Sequence, residues 1–472
     1  MAARDARKPG RTADASATAF PGFYGNLLLP GVPSVLAISR QEAAAGTLAQ
    51  TWPRGPTSGT WSTVRCARSW QVRSNAMVQP LVPRILRPRR AAPADAVRPT
   101  RAEINLEALR HNLRVVQEYA AGARVWPVLK ADAYGHGAPA VARTLERAGA
   151  DGFCVALVEE GVELREAGIV VPIIVVGGHY GSAHEEVVAR NLVPVVHDIG
   201  QVAAFAQLVR SGVAEGPIGV HLKIDTGMSR LGVTMSDLPC VADRLCEYPE
   251  VAVRGLMTHL ACADDHSGDA TVAQLARFEV ATRQLAARCV LPGVRHAAAS
   301  AALLRAQGRF DAVRPGISVF GISPRVEGHA LTSRLMPVMR VRTEVVALRD
   351  VPEGEAVGYG ATWHASRRSV VATAPMGYAD GLSRHLSNRG HVLVRGRRAP
   401  LVGAVSMDMI MFDVTDIPGV SVRDEVVVLG TQDGPLGRNA ILADEIAELS
   451  GTIPWEVLTS VSRRVPRFYR EP

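Results

Sequence analysis

Between residues 98 and 333, short apolar runs alternate with stretches of helical period, and this alternation restricts the fold more than any other feature. The runs are Val125–Leu129, Phe153–Leu157, Pro172–Val176, Val193–Val196, Ile218–Ile224 and Val253–Thr258, with weaker ones near Arg295 and Ala312. Amphipathic stretches such as Pro139–Ala148 and Gln274–Ala287 lie between them. Short runs of this length suit strands covered on both faces, and helices between them suit parallel crossovers. About eight strand–helix units over roughly 220 residues predict a (β/α)8 barrel, whose usual size is ~250 residues. Leu106, Leu109, Leu113 and Val116 recur at helical spacing just before the first run, with Asn105 as the N-cap.

After Ser333 the period changes. The runs MRVRTEVVALRDV, SVVATAPMGYA, GHVLVRGRRAPLVGAV, MIMFDVTDI and DEVVVLG are β-like and are separated by Gly, Pro and Asp. They predict a mostly β domain over 334–472, ending in the helix NAILADEIAELSG, and residues 98–108 are free to pair with it. Residues 1–97 are rich in Ala, Arg, Ser, Thr, Gly and Pro without sustained period, which predicts a disordered leader or a mis-assigned start, with Met77 near its end.

The formal charge of +8 invites a nucleic-acid reading, and its distribution confines that reading to residues 1–97. Residues 1–100 carry 14 basic and 4 acidic side chains, whereas the remaining 372 residues carry 39 and 41. Nucleic acid is therefore not an expected partner of the folded part. No run of 18 apolar residues occurs, and Pro30 and Pro33 interrupt the mildly apolar Leu27–Ile38 stretch, so no membrane span or signal peptide is expected. The six cysteines form no C-x-x-C or Cys/His array. Neither zinc nor a disulfide framework is indicated, which fits a reducing, cytoplasmic compartment.

Only three of the 53 basic residues are lysines: Lys8, Lys130 and Lys223. Arginine carries charge equally well but does no amine chemistry. Lys130 ends the first barrel run, and strand C-termini build the active site in such barrels. A desolvated lysine there can bind pyridoxal phosphate as an imine. Other strand ends are equally equipped. HLKIDTGMSRLG ends the fifth run with Lys223, MTHLA ends the sixth with His259, and RPGISVFG follows the eighth, where barrels often seat a phosphate. Taken alone, Tyr134 reads as packing and His136 as an exposed loop histidine.

The segments VLKADAYGHGA, DTGMSRLG, RPGISVFG, VGYGATW, MGYADG and SMDM, in that order and at these separations, resemble the alanine racemase family. The resemblance covers about residues 98–470. It implies pyridoxal 5'-phosphate as cofactor and a homodimer with shared active sites that interconverts L- and D-alanine for cell-wall peptidoglycan. Lys130 would carry the cofactor and act as the base for D-alanine. Tyr359, from the other subunit, would be the base for L-alanine. His259 would hydrogen-bond Tyr359, and Arg314 would bond His259 and face the cofactor's ring nitrogen. The phosphate would rest on Tyr134, Ser300, Gly316, Ile317 and Tyr378. Arg230 would bind the substrate carboxylate and the cofactor's phenolic oxygen, and the backbone amide of Met407, from the other subunit, would also bind that carboxylate. Asp408 and Arg384 would act as gate residues, and Lys223 would be a candidate carbamate. Asp132 and His136 gain no role.

Three positions depart from the family pattern. Ala299 stands where an asparagine is usual, Ser406 where a cysteine is usual, and Trp455 where a tyrosine is usual. Trp455 leaves a racemase of serine or of broader specificity as an alternative. Two further alternatives are a decarboxylase on the same plan, which a cationic partner for the ring disfavours, and a non-catalytic pyridoxal-phosphate carrier, which the β domain with Tyr359 and Met407 disfavours.

Overall fold

The computed structural model describes residues 97–265, 267–324 and 333–471. The expectation for residues 1–97 therefore lies, Val97 apart, outside the described residues. The described residues belong to one compact unit.

Strand β1 (Arg101–Asn105) comes first, followed by helix α1 (Leu106–Ala120). Asn105 caps α1 by accepting the Ala108 N–H at 3.0 Å. Leu106, Leu109, Leu113 and Val116 are all buried along one face of the helix, as their spacing predicts. The helix stops at Ala121, in the left-handed region with φ 51°.

Eight parallel strands follow: β2 (Arg124–Val125), β3 (Phe153–Val155), β4 (Ile173–Val175), β5 (Val193–Val196), β6 (Ile218–Lys223), β7 (Val251–Met257), β8 (Val294–His296) and β9 (Ala312–Val313). Their order in the sheet is β2-β9-β8-β7-β6-β5-β4-β3. The ring closes between β2 and β3, where Leu129 N–H donates to Cys154 O at 2.8 Å and Cys154 N–H to Pro127 O at 2.9 Å. Most strands match the sequence runs to within a few residues. The first is shorter than its run: only Arg124 and Val125 form a ladder, because Pro127 has no N–H to give. Beyond it, Trp126 N–H and Val128 N–H still bond Val313 O and Pro315 O at 2.9 and 2.8 Å. Inward-facing Trp126, Cys154, Ile174, Val195, Met257 and Ala312 pack the barrel interior. Outward faces carry larger residues, such as Phe153, into the layer shared with the helices. Truncating such a fully buried Phe costs about 3–5 kcal/mol.

The chain then builds β structure. Met339–Glu344 pairs antiparallel with β1, and the C-terminal strand Arg467–Arg470 pairs parallel with it. A strand that precedes the barrel in sequence thus lies inside the second sheet, between Met339–Glu344 and the edge strand Arg467–Arg470. Glu103 of β1 is buried, with ion pairs to Arg101, Arg340, Arg342 and Arg470. A smaller sheet joins Ala347–Val351, Ser369–Ala374 and Ile410–Asp413. Beside it, Ala356–Val357 and Trp363–His364 pair into a hairpin whose tip carries Tyr359.

Candidate active site

Directly after Lys130 the backbone turns left-handed. Ala131, Asp132, Ala133 and Tyr134 have φ between 51° and 55°. Each such non-glycine residue costs about 1–2 kcal/mol, so the turn persists only because its surroundings hold it. Glu160 accepts the Ala131 N–H at 2.6 Å, and its second oxygen accepts the N–H groups of Ala156 and Leu157 at 2.8 and 3.1 Å. One carboxylate thereby ties the lysine turn to the end of β3. The Asp132 carboxylate accepts the Ala138 N–H at 2.8 Å and starts the next helix. His136 is fully buried rather than exposed, with its ring 4.5 Å from Phe320. Its Nδ1 donates to Ala133 O and Tyr134 O at 2.9 and 3.0 Å, and burial pushes its pKa down to about 4. Asp132 and His136 are thus the fasteners of the turn. A Cβ at Gly135 would lie 2.4 Å from Leu458 O in the helix Pro454–Ser460, which also carries the partly buried Trp455.

The turn presents the Lys130 amine at the barrel mouth. The side chain is open to solvent by area, yet enough protein surrounds the recess to lower its pKa, first by lost hydration and then by Arg230. Lys223, at the end of β6, is buried, and its pKa falls to about 8 through burial, Arg230 and Arg314. His259, beyond β7, drops to about 3 through burial and the combined field of Arg314, Arg230, Lys223 and Lys130. These five groups therefore converge on one recess. Asp225, the nearby carboxylate, is committed to the loop before Arg230, where its Oδ1 accepts the N–H groups of Gly227, Met228 and Ser229 at 2.9–3.1 Å.

Arg314 is 2% exposed and has no carboxylate partner among the described residues. Its Nη2 donates to Thr258 O at 2.9 Å and Ala297 O at 3.0 Å and faces His259 Nδ1 at 3.4 Å. Its Nη1 donates to His296 Nδ1 at 2.7 Å. Burial lowers its pKa only to about 10, so it remains a cation at neutral pH.

A second feature adjoins the first. Ser300 Oγ accepts the Gly316 N–H at 3.0 Å and the Ser318 N–H at 3.4 Å, which leaves its own hydroxyl proton to give. A Cβ at Gly316 would lie 2.4 Å from Tyr134 Oη, so only glycine leaves this space open. Burial raises the Tyr134 phenol pKa and keeps it a neutral donor. A glycine cradle, hydroxyl donors and a short turn over Ile317–Phe320, set beside unpaired cations and a lysine amine, fit the phosphate and aldehyde of pyridoxal phosphate.

The β-domain residues gather separately. Tyr359, Met407 and Tyr378 are 75%, 51% and 41% exposed. Tyr378, expected at the phosphate, lies in a turn packed on Met407. Its N–H donates to Ser406 O and the Ala379 N–H to Met407 O, each at 3.0 Å. The turn comes this close because Gly377 has no side chain. Asp408 pairs with Arg464 at 2.7 Å, and Arg384 is exposed. Among the described residues, no hydrogen bond or ion pair joins Tyr359, Tyr378, Met407, Asp408 or Arg384 to the lysine cluster. The expected contact between His259 and Tyr359 is not made within one chain.

Glu160, His221, His296 and Trp126 escaped the sequence reading. Glu160 had a local signal, being the third residue of a helix after an apolar run. The others meet only across the barrel.

Family models for the alanine racemase N-terminal and C-terminal domains match residues 104–324 and 338–469. The chain is 60% identical over 383 residues to the alanine racemase of Sorangium cellulosum, covering 80% of this chain and all of that protein. Among solved structures, it is similar to alanine racemase from Streptomyces lavendulae, with a TM-score of 0.74 and 32% identity, covering 79% of this chain and 98% of that one. It also resembles the Bartonella henselae alanine racemase with covalently bound pyridoxal phosphate, with a TM-score of 0.70 and 30% identity, covering 79% and 99% of the two chains. The chain belongs to the alanine racemase family, the pyridoxal-phosphate-dependent isomerases that interconvert L- and D-alanine.

Proposed function

We propose that this chain racemises alanine by a two-base mechanism in a homodimer, with Lys130 on one face of the substrate and the partner subunit's Tyr359 on the other. The observation that carries the reading is the recess of unpaired cations around Lys130 beside the Tyr134–Gly316–Ser300 cradle. Pyridoxal phosphate, when bound, supplies the electron sink that makes the substrate's α-proton acidic. The barrel (98–333) holds the lysine, and the β domain (334–472) lends its exposed tyrosine and methionine to the opposite subunit.

The residues then divide the work. Tyr134, Ser300, Gly316 and Ile317 hold the phosphate, with Tyr378 closing over it. Arg230 and the partner subunit's Met407 amide orient the substrate carboxylate, while Asp408 and Arg384 guard the entry. Lys130, its pKa lowered, moves the α-proton on the D face. Arg314 has only donors to offer. His259 Nδ1 is therefore an acceptor, and the proton of the neutral ring rests on Nε2, where it is available as a donor. That donor would bond the phenolic oxygen of the partner subunit's Tyr359 and steady the charge it carries as a base, since a phenol is a poor base unaided. Arg314 would oppose a proton on the cofactor's ring nitrogen, which would weaken the sink and favour simple reprotonation. Lys223, with a pKa of about 8, has a neutral fraction able to take up CO2 as a carbamate, releasing a proton, and the Arg230 cation, whose field reaches Lys223, would favour the anion so formed. We place the enzyme in the cytoplasm, supplying D-alanine for peptidoglycan.

Hydrogen exchange at Cα tests the assignment. Tyr359→Phe should slow exchange from L-alanine by about 10²-fold or more while sparing exchange from D-alanine. Equal loss from both enantiomers contradicts two separate bases.

A further inference from the structure

We propose that His296 and His221 are positioning residues: a two-imidazole chain that fixes the orientation of Arg314 without neutralising it. The inference rests on the reading that Arg314 faces the cofactor ring.

The direction of the chain follows from donor chemistry. A guanidinium can only donate. Arg314 Nη1 lies 2.7 Å from His296 Nδ1, so that nitrogen accepts, and His296 carries its proton on Nε2. His296 Nε2 lies 3.0 Å from His221 Nδ1, which accepts in turn, so His221 also carries its proton on Nε2. One cation thus sets both tautomers. A second proton on either ring would replace an acceptor with a donor facing a donor, so neither imidazole becomes a cation while the chain is intact. Burial and Arg314 push the same way, holding His221 at about 4 and His296 well below the usual imidazole range.

The arrangement is built into the barrel. The β6–β7 ladder shifts register between Val220 and His221, an irregularity of the kind that re-aims a side chain. On the facing strand, a Cβ at Gly255 would lie 2.4–2.6 Å from three His221 ring atoms, so the glycine is the seat of that ring. Trp126 packs against both imidazoles, with centroids 5.8 and 5.1 Å away. His296 is 0% exposed and His221 6%.

A carboxylate in place of His296 would hold Arg314 equally well, but it would cancel much of the charge. Thr258 O, Ala297 O, His259 and His296 all leave that charge intact. The nearby Cys154 thiol, pushed up to about 12 by burial, adds no anion. Orientation without compensation is what a fixed positive field on a bound ring requires.

Neutron diffraction of the holoenzyme reads the tautomers directly. Deuterium should occupy Nε2 of His296 and His221 and neither Nδ1, and deuterium on His296 Nδ1 overturns the chain. Variants then test its purpose. His221→Phe should lower kcat about tenfold with alanine KM within about twofold, and should shift the bound cofactor's absorption band. His221→Gln, whose amide oxygen accepts the same N–H, should stay near wild type. Gly255→Ala, which displaces the ring and leaves its chemistry in place, should behave like His221→Phe. Equal behaviour of the Gln and Phe variants overturns the proposal. Arg314→Lys separates the two levels. If it leaves the absorption band unchanged, the placement of Arg314 by the ring fails and takes this inference with it. If it shifts the band while His221→Phe does not, the positioning chain alone fails.

Discussion

Arginine is used in opposite ways in the two halves of this molecule. In the second sheet, Arg340 and Arg342 lie against Glu103 and Glu425, and Glu103 alone meets four guanidinium groups. At the barrel mouth, Arg314 is more deeply buried than either and has only carbonyls and imidazoles for partners. Arg230, Lys130 and Lys223 crowd the same recess. Burying a charge without a counter-charge destabilises a fold. The sheet avoids that cost internally. The barrel accepts it, and in the proposed reading a cofactor phosphate and a substrate carboxylate supply the counter-charge. Paired arginines mark structure here, and unpaired cations mark the site.

The contrast is breakable. Lys130→Met should abolish racemisation, by more than about 10³-fold, without lowering the Tm of the cofactor-free protein, because it removes a cation that makes no ion pair among the described residues. A matching fall in Tm would show that Lys130 is structural. Glu103→Gln should do the reverse. It should cost about 3 kcal/mol in denaturant unfolding while leaving kcat of the folded enzyme unchanged. Loss of activity without loss of stability would erase the distinction between the regions.

The smallest effect is in pH. The folded pKa of Lys223, about 8, lies below the ~10.4 of an unfolded lysine, so the unfolded chain binds more protons between these values. In that window the stability of the cofactor-free, CO2-free protein should rise with pH, by up to about 1.4 kcal/mol per unit from this group. Below pH 8 the penalty is fully present. Lys223→Met should flatten the slope, and an unchanged slope would assign it elsewhere.

Much of this was legible in the sequence, for physical reasons. Alternating periods disclose a barrel because buried strands and amphipathic helices have different repeats. Lys130 stood out because a chain that otherwise prefers arginine kept a lysine at a strand end. The left-handed turn after it was not legible. Alanine and tyrosine disfavour positive φ and aspartate tolerates it only modestly, and the turn is held by Glu160 and Leu458 from elsewhere in the chain. His221 and His296, 75 residues apart, meet only once the barrel has closed. The place of β1 in the second sheet was foreseeable only as a possibility, since five residues fit either sheet equally well. Motif order brought Tyr359 and Lys130 to attention together, and the folded chain holds them in separate clusters, with Tyr359 at an exposed hairpin tip.

That separation gives the most direct test. If each site takes Lys130 from one subunit and Tyr359 from the other, Lys130→Ala and Tyr359→Phe homodimers should each be inactive. Unfolding and refolding them together makes mixed dimers in which one site has both residues and the other has neither. Random pairing should restore about a quarter of wild-type activity. No recovery, with mixed dimers shown to form, would contradict a site shared between subunits.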